Sequence, residues 1–68
     1  MSFIKKDIIQ HLESGGKIYN KLGYFAELEQ GYTCKCSNRS MIALLRDGIV
    51  VEVHDQIVLK LHLLTKEK

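Results

Sequence analysis

Few residues in this 68-residue chain have types and spacing suited to chemistry. Cys34-Lys35-Cys36 is the one motif-like pair. On a strand, alternate side chains share a face, so both sulfurs would stand on one side and a metal could bridge them. A structural zinc needs four ligands, and the remaining donors, His11, His54 and His62, fall in three separate predicted elements. A buried thiol behaves as a small hydrophobe, so packing is the expected role of both cysteines. A disulfide between residues two apart on a strand would be strained and is not expected. The histidines form no catalytic set, and the chain has no Ser-His-Asp order, carboxylate pair or phosphate-cradling glycine motif. No enzyme activity, metal or cofactor is expected.

Binding chemistry is better represented. Arg39 and Arg46 lie seven residues apart, so they project from the same side of a helix, two turns apart. Ser37, Asn38 and Ser40 gather at the start of that helix, where small polar donors suit a phosphate. Arginines suit phosphates or base edges. Asn38, Arg39, Arg46 and Lys60 are therefore the candidate nucleic-acid contacts, against the plainer reading of a solvated polar face. Tyr19, Tyr24 and Tyr32 offer a stacking platform for single strands, although a small core needs such rings for packing. Val50 and Val58 are candidate protein-interface residues on an outward hairpin face.

These residues need elements to position them. Ile4, Ile8, Leu12 and Ile9 fall within an arc roughly 140° wide on a helical wheel, which predicts a first helix over about Phe3–Glu13. Ser2 is its expected N-cap and Ser14-Gly15-Gly16 its stop. The middle reads as a β-meander with strands at Lys17–Asn20, Tyr24–Leu28 and Tyr32–Cys36. Gly23 and Gly31 mark its turns. A second helix follows over about Asn38–Asp47, with Met41, Ile42, Leu44 and Leu45 on its apolar side and Gly48 as its stop.

The runs Ile49–Val53 and Ile57–Leu64 then predict a β-hairpin. Pairing Val53 with Ile57 through a three-residue loop, His54-Asp55-Gln56, puts Ile49, Val51, Val53, Ile57, Leu59 and Leu61 on one buried face. The outer face then carries Val50, Glu52, Val58, Lys60 and His62, with Glu52 and Lys60 as diagonal neighbours. Residues 65–68 read as a frayed polar tail.

The expected fold is a single α+β domain over 1–68, ordered helix, β-meander, helix, β-hairpin. A short helix running straight into a hairpin is winged-helix-like, but strands stand where a winged helix has its preceding helix. Apolar and charged fractions of 46% and 26% are those of a globular chain. The longest apolar runs fall far short of a membrane span, and no leader is evident. Two cysteines without a leader fit a reducing cytoplasm. A net charge of +2 is a weak basic footprint for nucleic-acid binding. A core this small often gains stability by oligomerising, so dimer formation is expected.

The Gly15-Gly16-Lys17-Ile18 step, the aromatic middle, and Met41-Ile42-Ala43-Leu44-Leu45-Arg46-Asp47-Gly48-Ile49-Val50 resemble the YjhX-like group of small bacterial proteins. There a helix ends in a Gly-Gly-basic-Ile step and is followed by a hairpin, a second helix and a final hairpin. Similar short proteins often come from phage or mobile-element regions. The resemblance implies a regulatory role, either DNA-associated or as an inhibitory partner of a DNA-processing enzyme. The chain departs from the group in its shorter C-terminus and in its Cys-x-Cys.

Overall fold

A computed structural model describes residues 2–65 of the chain. Helix α1 (Lys5–Glu13) is followed by strands β1 (Lys17–Asn20), β2 (Tyr24–Glu27) and, after a single 3-10 turn at Glu29–Gly31, β3 (Thr33–Lys35). Helix α2 (Asn38–Arg46), strands β4 (Val50–Val53) and β5 (Gln56–Leu59), and a short helix α3 (Lys60–Thr65) complete it. The α+β order expected from sequence is present, with α3 added.

Both main helices end in the same way. Gly15 and Gly48 take left-handed φ values of 89° and 76° just past α1 and α2. At each end the glycine N–H bonds back three residues and the next N–H bonds back five: Gly15 to Leu12 and Gly16 to His11, Gly48 to Leu45 and Ile49 to Leu44. This double bond satisfies carbonyls that a helix end leaves bare. The starts differ. Ser37 caps α2, its hydroxyl accepting from the Ser40 N–H. Ser2 does not cap α1. Phe3 makes a parallel bridge to Cys36 instead, so α1 starts at Lys5 with Ile4 as the capping position. The Asp7 carboxylate there accepts from the Ile4 N–H at 3.2 Å.

The five strands form one antiparallel sheet in the order β3-β2-β1-β5-β4. Local hairpins link β1 to β2, β2 to β3 and β4 to β5. The join between the two halves is β1 against β5, with only Ile18↔Ile57 and Tyr19↔Gln56 in register. The C-terminal hairpin is therefore the end of a continuous sheet and not a separate wing.

That hairpin also corrects the expected register. Its loop is two residues, His54-Asp55, and Val53 pairs with Gln56. Both loop residues have positive φ, 53° and 65°, as a type I′ turn requires. Val50, Ile57 and Leu59 consequently face the helices, and Val51, Val53 and Val58 face the opposite side. Glu52 shares the helix side at its margin, where its carboxylate accepts from the Asn20 side-chain amide at 3.2 Å. The expected Glu52–Lys60 diagonal is absent from the register, because the strand ends at Leu59 and Lys60 opens α3. Thr65 closes α3, and residues 66–68 of the expected tail lie outside the described residues.

Helices α1 and α2 cover one face of the sheet. Ile8, Leu12, Met41 and Leu44 pack from the helices onto Ile18, Ala26, Val50, Ile57 and Leu59, with Cys36 beside them. Leu45 packs at the margin of this core, but Ile42, expected on the same apolar side, is 57% exposed. No described helix is long and apolar enough to cross a membrane.

Candidate nucleic-acid interface

The Phe3–Cys36 bridge decides where the two helix starts lie. Phe3 donates to the Lys35 carbonyl at 2.9 Å and accepts from the Ser37 N–H at 2.8 Å. Both chains leave this bridge in the same direction, and each begins a helix two residues later. The N-termini of α1 and α2 therefore open side by side. Each helix start carries partial positive charge and backbone N–H groups without helical partners. Lys5 and Lys6 stand exposed in the first turn of α1, and Asn38 and Arg39 in the first turn of α2. Asp7 is the acid among them, already engaged with the Ile4 amide.

From this end the candidate residues run along α2. Arg39, Ile42, Ala43 and Arg46 line one shallow groove on its outward side, with a volume of about 410 Å³. Arg46 is 76% exposed at the side chain and meets Asp47 only loosely, at 3.8 Å. Such an exposed pair contributes little stability and leaves the guanidinium available. Lys60 lies past the far end of α2, its ammonium beside Gly48. The structure thus brings Asn38 and Arg39 to the helix starts, Arg46 along the same groove and Lys60 beyond it. Lys5 and Lys6 were missed from sequence because nothing in the spacing of α1 ties its first turn to α2. Their approach to α2 depends on a bridge between residues 33 positions apart (36 − 3).

The other candidates resolve separately. Val50 is 1% exposed and belongs to the core, so the outward position expected for it is corrected. Val58 is half-buried on the sheet face that α1 and α2 leave uncovered, beside Val51. The three tyrosines do not share a platform. Tyr24 packs against the core, Tyr32 is 67% exposed outside the strands, and Tyr19 stands on the uncovered sheet face. Its partner in register there is Phe25.

Cys36 is fully buried, and burial, reinforced by Cys34, pushes its thiol up to about 11; a backbone hydrogen bond from Ala26 acts weakly the other way. A thiol held in that state is a poor nucleophile and a poor metal ligand. Among the described residues no three His, Cys, Asp or Glu side chains come together as a metal site would require. His11 instead serves packing: its ring meets Phe3 edge-on at 5.5 Å, and Gly16 leaves the space its tip occupies. A cleft of about 480 Å³ opens where β1 and β5 part, lined mainly by apolar groups including Leu12, Ile57, Val58, Leu59 and Leu63. No family model, curated protein or solved structure matches the chain.

Proposed function

We propose that the chain is a small regulatory binding protein without catalysis of its own, and that its ligand is duplex DNA. The observation that carries this reading is the pairing of two helix starts with Lys5, Lys6, Asn38 and Arg39 exposed in their first turns. Phosphates would meet the open N–H groups and these cations, and the groove of Arg39, Ile42, Ala43 and Arg46 would lie along the duplex. Lys60 would add a contact beyond the end of α2. The role this implies is that of a DNA-associated cytoplasmic regulator that presents α2 to the duplex, with the hairpin built into the sheet behind it.

Three or four phosphate contacts give a salt slope of about −3 for a duplex. Replacing Arg39 and Arg46 together with alanine should flatten that slope by about 2 and weaken binding to any duplex sequence. Fluorescence anisotropy across a salt series measures both. Wild-type protein that shows no salt-dependent binding to duplex at low salt would sink the proposal.

A protein partner is the second reading, supported by Val58 and its neighbour Val51 on the uncovered sheet face. It predicts a homodimer or a partner-dependent complex that Val58→Asp disrupts.

A further inference from the structure

The uncovered face of the sheet has an order that the reading above does not use. One row crosses all five strands in register: Lys35, Phe25, Tyr19, Gln56, Val53. A solvated face of an antiparallel sheet is normally polar, yet two aromatic rings stand opposite each other at its centre. Lys21 reaches over the Tyr19 ring with its ammonium 5.5 Å from the centroid. Lys17 lies two residues before Tyr19 on β1 and is paired in register with Glu27. Tyr19, Lys21, Phe25, Glu27 and Thr33 together line a shallow groove of about 370 Å³.

We propose that this groove binds single-stranded nucleic acid, with bases stacked on Tyr19 and Phe25 and the backbone held by Lys17, Lys21 and Lys35. The charge chooses the occupant. Three lysines against Glu27 leave this half of the face at +2 (3 − 1), which equals the net charge of the whole chain. A second copy of the chain would bring +2 against +2, whereas a polyanion is attracted. The rings choose the kind of polyanion. Flat aromatic faces accept unstacked bases of any sequence, and a duplex keeps its bases stacked and out of reach. The site lies on the opposite side of the sheet from α1 and α2, so it stands apart from the duplex reading and can fail without it.

The probe is a fluorescein-labelled 12-mer of dT, titrated by anisotropy. Wild-type protein should bind it with a salt slope of about −2 for three lysine contacts, or roughly 16-fold weaker binding at 200 mM than at 50 mM salt. Leucine at both ring positions, Tyr19→Leu with Phe25→Leu, should weaken binding by at least tenfold, since each stacked base contributes measurably. Should that variant fail to fold by circular dichroism, Lys17→Glu with Lys35→Glu alters only exposed side chains and should abolish binding. Arg39→Ala with Arg46→Ala should leave single-strand binding unchanged. The proposal is overturned by absent binding at 50 mM salt, by ring or lysine variants that fold and still bind like wild type, or by loss of binding in the arginine variant. Concentration-dependent self-association that the lysine reversals strengthen would likewise overturn it, in favour of a second copy.

Discussion

Burial at Cys36 has chemical consequences that can be read directly. With its thiol raised from 9.0 to about 11, roughly one molecule in a thousand carries the thiolate at pH 8. Iodoacetamide at that pH should modify half-buried Cys34 and spare Cys36 until denaturant exposes it; mass spectrometry of the two cysteines checks this. The sign of the pH effect follows from the same shift. The folded protein holds this proton more tightly than the unfolded chain, so the associated stability is complete below pH 9 and is lost as pH rises towards 11. The thermal midpoint should fall across that window, and fall less in Cys36→Ala. Sequence composition favoured the packing role of the cysteines, because a buried thiol needs no partner. Val50 was placed outward by the register that paired Val53 with Ile57, because an apolar type alone does not say which face of a strand it takes.

At the scale of elements, helix boundaries carried by glycine stops were legible to within a residue or two. The final hairpin was not. Its expected register assumed that alternating apolar residues must all be buried, whereas valines occupy both faces here and the pattern loses its power to choose. The turn itself decided. A two-residue I′ turn matches strand twist, and histidine and aspartate are among the residues that tolerate left-handed φ. They tolerate it at a cost. His54→Asn with Asp55→Gly installs the preferred pair and should stabilise the fold by roughly 1 kcal/mol. For a domain of this size that raises the thermal midpoint by about 4–8 °C, measurable by calorimetry. Helix α3 was invisible because Leu59, Leu61 and Leu63, with Lys60 and His62 between them, continue the alternation of a strand past the end of β5. The proximity of Lys5 and Lys6 to α2 was equally invisible, since it depends on a long-range bridge at Phe3.

The whole molecule rests on a single thin core. A domain below about 70 residues rarely holds more than 3–5 kcal/mol, and truncating a buried isoleucine to alanine costs about 2–5 kcal/mol. Ile57 is fully buried, pairs with both Ile18 and Glu52, and packs beneath the helices. Ile57→Ala should therefore remove most of the folding free energy at 25 °C, seen in circular dichroism as a urea transition shifted close to zero denaturant. The same residue lies on the narrow join between the two halves of the sheet. Every other strand pair is a hairpin that neighbouring residues can close early, but β1 meets β5 only after the ends of a 39-residue span (57 − 18) find each other. That places the rate-limiting search of folding at two register pairs. The N-terminal meander and the C-terminal hairpin become units that assemble separately and gain their native stability only when that last seam is zipped.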